Sequence, residues 1–188
     1  MEMTLRAIAQ VFSRLPHKHQ DGAMLSHSNE AQPVNILLVE DGQVQRVLLK
    51  TAIAGFPQFN LLHVAENGVE AIEFLTRELQ SAHGQLPDLI LLDINMPEKN
   101  GFEVLTEIKS DPVLRTLPVI VFTTSDCQED VDQAYGKGAN TFITKPTTLG
   151  GLEYVLNRIS DYWLETARLP SNGQALDKKR PRIWRSTG

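Results

Sequence analysis

From residue 34 onward the chain alternates between two hydrophobic periods. Four short runs are largely apolar, "NILLVE" (35–40), "NLLHVA" (60–65), "DLILL" (88–92) and "PVIVFT" (118–123), and a fifth, "NTFIT" (140–144), reads as a strand. Runs of this length without polar alternation predict strands covered on both faces. Between them, apolar residues return every three or four positions, as in a helix with one buried stripe. The first such segment, 43–54, carries Val44, Val47, Leu48 and Ile53 and is stopped by Gly55 and Pro57. The second, 66–79, carries Val69, Ile72 and Leu75 or Phe74, with Asn67 as its cap. The third, 101–110, carries Phe102, Leu105 and Ile108; the fourth, 127–137, is closed by "GKG". The fifth, 147–167, carries Leu149, Leu152, Val155 or Leu156, Ile159 and Trp163.

Five strands alternating with five helices predict an α/β fold, a parallel sheet with helices on both faces. Among doubly wound folds the flavodoxin-like strand order 2-1-3-4-5 suits five strands. It puts the switch point between strands 1 and 3, with ligands bound beyond the carboxyl ends of the strands. The domain is expected to span 34–169. Ahead of it, Leu5, Ile8, Phe12 and Leu15 are spaced for a short amphipathic helix ended by Pro16, and a polar linker runs to residue 33. With 18 residues beyond 170, a second folded domain is not expected, and 170–188 reads as a disordered tail.

Charge sharpens this division. The formal net charge of −5 combines 19 acidic and 10 basic residues between Val34 and Leu169 with 4 acidic and 8 basic residues in the flanks. Lys178, Lys179, Arg180, Arg182 and Arg185 crowd the tail. An acidic body argues against nucleic acid as its partner. The apolar runs are too short to cross a bilayer, and no apolar signal core opens the chain. A lone cysteine, Cys127, excludes an internal disulfide, so a cytoplasmic protein without membrane contact is expected.

The candidate chemistry lies where the strands end. Glu40 and Asp41 follow strand 1, Asp93 follows strand 3, Thr123 and Thr124 end strand 4, and Lys145 and Pro146 follow strand 5. Each has an ordinary reading: a loop acid or helix cap, a β-forming threonine, a solvated lysine. Taken together in the 2-1-3-4-5 topology, they converge on one sheet edge. Three carboxylates there repel one another. A hard divalent cation with oxygen ligands relieves this, and without a Cys or His cluster Mg²⁺ is the expected ion. Such a cation and Lys145 would neutralise charge developing on a phosphoryl group, with a carboxylate as nucleophile and Thr123 as hydrogen-bond donor.

The motifs "LLVED" (37–41), "LLDINMPEKNG" (91–101), "VFTTS" (121–125) and "TFITKP" (141–146) resemble the receiver domains of two-component response regulators, over roughly 35–169. The resemblance implies that Asp93 is the phosphoacceptor, fed by a histidine kinase. It implies that Glu40 and Asp41 are the acidic metal pair and that Asn95 offers its backbone carbonyl to Mg²⁺. It makes Thr123 the switch hydroxyl, Phe142 the switch aromatic and Lys145 the phosphate-binding lysine, joined to Pro146 by a cis bond. Glu40 departs from the aspartate of many members and would reach the metal through water. The stretches 122–140 and 152–170 further resemble the stand-alone phytochrome-associated response regulators. That implies a bacteriophytochrome-type kinase and a homodimer through the fourth helix, fifth strand and fifth helix. Such a protein transfers phosphate to itself and hydrolyses it again, without being an enzyme in the usual sense.

Three rival functions are open to the same chain. A DNA-binding regulator would act through the basic tail. A metal-dependent phosphatase would use Asp93 as nucleophile, but such enzymes commonly carry a second acid two residues later, where this chain has Asn95. An unphosphorylated scaffold would not need the full set of site residues.

Overall fold

The fold was analysed in a computed structural model, which describes residues 33–170. The expected N-terminal helix and the basic tail lie outside the described residues. Five parallel strands, β1 (Val34–Val39), β2 (Phe59–Ala65), β3 (Leu89–Leu92), β4 (Val119–Thr123) and β5 (Thr141–Thr144), pair in the order β2-β1-β3-β4-β5. Five helices connect and follow them: α1 (Gln43–Ala54), α2 (Gly68–Gln80), α3 (Gly101–Ser110), α4 (Gln128–Gly136) and α5 (Leu149–Ser160). The helix of α5 runs on as one π-helical turn, Asp161–Thr166, whose Trp163 is buried. The fold is thus the flavodoxin-like doubly wound sheet.

The three central strands are buried along their whole length, as their unbroken apolar runs require. Successive side chains serve opposite faces. Leu37, Val39, Ile90, Leu92, Val119 and Val121 meet Ala71, Phe74 and Leu75 of α2, Val104, Leu105 and Ile108 of α3 and Ala134 of α4. Ile36, Leu38, Leu89, Leu91, Ile120 and Phe122 meet Leu49 and Ile53 of α1 and Leu152, Leu156 and Ile159 of α5. Burial of each Val, Leu, Ile or Phe side chain among these stabilises the fold by about 1.5–3 kcal/mol. The edge strands β2 and β5 are largely half-buried, since each has a neighbour on one side only.

Three expectations need correction. Val69 of α2 is exposed, and the helix buries Ala71, Phe74 and Leu75. Helix α1 does not bury Val44, Val47 and Leu48, which are exposed; its inner face is Leu49, Ala52 and Ile53. The chain offers two apolar stripes on this helix, and the second, carrying a small alanine, is the one that fits against the strands. The Lys145–Pro146 bond is trans, since the described residues hold no cis peptide. Cis and trans differ by only about 0.5–1 kcal/mol at proline, so surroundings decide. Here the proline ring lies against the start of α5, so close to Gly151 that a Cβ there would come within 2.6 Å of it.

Candidate functional site

The sheet ends its three inner strands and β5 at one edge, and each delivers a polar side chain there. Asp93 follows β3 directly, and its N–H donates to Val39 O (3.0 Å), which keeps the chain in sheet register up to the carboxylate. The turn beyond it is closed by α3. Asn100 and Glu103 form a reciprocal capping box at that helix's N-terminus. Gly101 is required at its first position: a Cβ would stand 2.1 Å from Asp93 O. Pro97 precedes Glu98, whose φ of +64° lies in the left-handed region. Proline followed by a left-handed residue is the pattern of a type II turn, with glutamate where glycine is usual.

Lys145 is drawn in beside Asp93 by β5, where its N–H donates to Thr123 O (2.6 Å). Its ammonium is buried and pairs with both Glu40 Oε2 and Asp93 Oδ2. The other Asp93 oxygen, Oδ1, accepts from the Asn95 N–H (3.1 Å), and Glu40 Oε1 accepts from the Gly42 N–H (3.1 Å). Burial foremost, with the charge of Asp93 beside it, holds the Glu40 carboxyl above the usual carboxylate range, against the opposing pull of Lys145.

Asp41 differs from the other two acids. It is half-buried, and its carboxylate has no hydrogen-bond or ion-pair partner among the described residues. Yet ligand oxygens of Glu40, Asp41 and Asp93 all lie within 4.8 Å of one another. Glu40 and Asp93 share one ammonium, and Asp41 beside them pairs with no cation among the described residues. An oxygen-only donor set with excess negative charge fits a hard divalent cation. Asp41, Asp93 and Glu40 are the side chains that would hold it.

Thr123, fully buried at the end of β4, accepts at Oγ1 from Asn95 Nδ2 (3.2 Å) and the Ser125 N–H (3.3 Å). Phe142 on β5 is half-buried against the core cluster beneath α4, and its N–H donates to Tyr135 Oη (3.3 Å). Thr124, in contrast, is exposed. The fold therefore assembles Glu40, Asp41, Asp93, Asn95, Thr123 and Lys145 at one place and sets Phe142 on the adjoining edge strand.

One neighbour carries no sequence signal. Arg46, in the first turn of α1, donates to the backbone carbonyls of Glu40 (3.0 Å) and Asp41 and pairs with Glu66 (3.0 Å). Its targets are main-chain atoms, which the residue pattern does not reveal.

Comparison with known proteins agrees with this geometry. The family model described as "Response regulator receiver domain" matches residues 36–157. Response regulator Rcp1 of Synechocystis sp. is 37% identical over 145 residues, covering 77% of this chain and 99% of Rcp1. The phosphorylated cyanobacterial phytochrome response regulator RcpA superposes with a TM-score of 0.68 at 40% identity, covering 74% of this chain and 99% of that one. The Mn²⁺-bound form of Rcp1 superposes with a TM-score of 0.63 at 37% identity, over 74% of this chain and 100% of that one. No helix among the described residues is long and apolar enough to cross a membrane.

Proposed function

Because the chain belongs to the response-regulator receiver family, a two-component regulator partnered by a histidine kinase, we propose that Asp93 is the residue that accepts the phosphoryl group. One Asp93 oxygen attacks the phosphorus of a phosphohistidine, the P–N bond breaks, the imidazole leaves with its electron pair, and an acyl phosphate forms. The observation that carries this reading is the convergence of Glu40, Asp41 and Asp93, two of them paired with the buried ammonium of Lys145. Bound Mg²⁺ would supply further charge neutralisation at the phosphoryl oxygens. Glu40, Asp41, Asp93 and the Asn95 backbone carbonyl are its proposed ligands.

Lys145 holds the incoming group by charge, exchanging a carboxylate partner for phosphoryl oxygens. Thr123 turns its hydroxyl toward the acyl phosphate and leaves its present donors. Phe142 then moves inward, and the α4–β5–α5 surface changes for a partner to read. Water attacking the same phosphorus later restores the carboxylate, so the domain resets itself. The phytochrome named for RcpA supports a phytochrome-type kinase as donor. Exposed Tyr135 on α4 and Tyr154 on α5 support a homodimer across that surface. We assign residues 34–169 to the receiver, with flanking extensions at 1–33 and 170–188, and place the protein in the cytoplasm.

The test uses acetyl phosphate with Mg²⁺ and intact-mass measurement. The full chain is expected to gain one phosphoryl group and Asp93→Asn none. Equal uptake by both, or none by the wild type, overturns the assignment.

A further inference from the structure

We infer that Arg46 is a positioning residue for the cation site. It pins from behind the backbone that carries the two leading acids. The inference rests on the divalent-cation reading above.

Asp41 is the acid that no side chain steers. With no partner for its carboxylate among the described residues, its direction follows from the backbone of 40–42 and its own rotamer. Glu40, by comparison, is tied at both carboxylate oxygens, to Gly42 and Lys145. The backbone there is held by the Glu40 N–H on Ala65 O (3.0 Å), by the Arg46 N–H on Gly42 O (2.8 Å) and, at the Glu40 and Asp41 carbonyls, by the Arg46 side chain. A single guanidinium nitrogen, Nη1, donates to the carbonyls of both Glu40 and Asp41, while Nη2 reaches Glu66 beyond β2. The arginine side chain is only 13% exposed, whereas Glu66 is 64% exposed. The carbonyl contacts are therefore the sheltered ones, and the ion pair is exposed to solvent screening. The planar fork lets one side chain hold two successive peptide units and a third element at once.

The sign of the effect separates two accounts. As a charge, Arg46 opposes a cation bound nearby, so removing it would tighten binding. As a clamp, it holds Asp41 on the ion, so removing it loosens binding. Losing a group that orients a metal ligand commonly weakens affinity about 10–100-fold. We expect the clamp to dominate, because a chelating carboxylate that wanders loses direct contact with the ion.

Mn²⁺ and Mg²⁺ affinities of the full chain, measured by isothermal titration calorimetry, decide the matter. Thermal melts in EDTA report folding separately. Arg46→Ala is expected to bind Mn²⁺ about 10-fold more weakly than wild type, and Arg46→Lys to fall between them. Glu66→Gln, which leaves the carbonyl contacts in place, should stay within about two-fold of wild type, as befits an exposed ion pair. Unchanged or tighter binding in a folded Arg46→Ala overturns the inference, as does a loss in Glu66→Gln equal to that in Arg46→Ala. A lower melting temperature in EDTA at unaltered affinity would show a merely structural arginine and also overturn it. Should Arg46→Ala not fold, Arg46→Lys decides alone: weaker binding supports the clamp and wild-type affinity refutes it. If the wild type binds neither ion, the cation reading itself falls.

Discussion

Two carboxylates bracket β3 and are almost equally hidden: Asp88 just before the strand is 4% exposed, Asp93 just after it 5%. Their surroundings differ. Asp88 accepts from the backbone N–H of Asn35 (3.0 Å) and from its Nδ2 (3.2 Å). Asn60 Nδ2 in turn donates to Asn35 Oδ1 (2.7 Å), so that β1, β2 and the approach to β3 are tied together. Asp93 shares one ammonium with Glu40 and has Asp41 close by. At Asp88 the donors from Asn35 are neutral amide groups turned onto a buried carboxylate. The opposite edge gathers like charges and leaves one unpartnered. Burial alone thus does not mark a functional acid. An acid whose surroundings remain electrostatically incomplete is set up to receive something.

The sharpest way to break this comparison is to remove the one cation that makes the crowded edge tolerable. Lys145→Met leaves Glu40 and Asp93 buried together without a counter-charge. Stripping one partner from a buried ion pair typically costs about 3–5 kcal/mol. Urea unfolding in EDTA should show a loss of that size. Millimolar Mg²⁺ should return a substantial part of it, since an ion that binds only the folded state stabilises that state. A variant as stable as wild type in EDTA would mean that the edge is not electrostatically crowded.

Changing the two acids themselves gives the next effect. Asp88→Ala strands the Asn35 N–H and Nδ2 in a buried setting, a loss of about 2–4 kcal/mol. Asp93→Asn removes one charge from a group of three and keeps the side chain's shape. In EDTA its stability should stay within about 1 kcal/mol of wild type, shifted toward a gain by relief of repulsion. Equal losses in the two variants, read from their urea midpoints, would erase the distinction between the two ends of β3.

The sequence made one end of β3 far more legible than the other. Three inner strands stand out because burial on both faces leaves no polar alternation, and the acids, hydroxyl and lysine stand out because each follows such a strand. Helix α1 is ambiguous in sequence. Val44, Val47 and Leu48 satisfy helical spacing as well as Leu49, Ala52 and Ile53 do, and only packing on the sheet chooses between the stripes. The trans Lys145–Pro146 bond is equally out of reach, because cis and trans differ so little at proline that residue identity does not choose between them. Arg46 was invisible for a different reason. It acts on carbonyl oxygens, which every residue possesses, so no residue pattern announces the contact. The Asn35–Asp88–Asn60 network shares that quality, because three polar residues scattered between positions 35 and 88 meet only when the strands align.

The smallest expected effect concerns where strain is held. The turn beyond Asp93 carries Glu98 at φ +64°, while the only other described residue with positive φ is a glycine, Gly138. A left-handed non-glycine residue costs about 1–2 kcal/mol. Such strain commonly gathers beside functional sites, where the surrounding structure over-determines it. Here Gly101 packed on Asp93 O and the capping box of α3 hold the far side of the turn. Glu98→Gly relieves the steric clash but gives the unfolded chain more freedom, which offsets part of the gain. A net stabilisation of about 0.5–1 kcal/mol is therefore expected in urea unfolding with EDTA. Since Glu98 contributes no group to the acidic cluster, Mn²⁺ affinity should stay within about two-fold of wild type. A stability loss in this variant would show that the turn is relaxed as it stands, and that the two ends of β3 differ in charge alone.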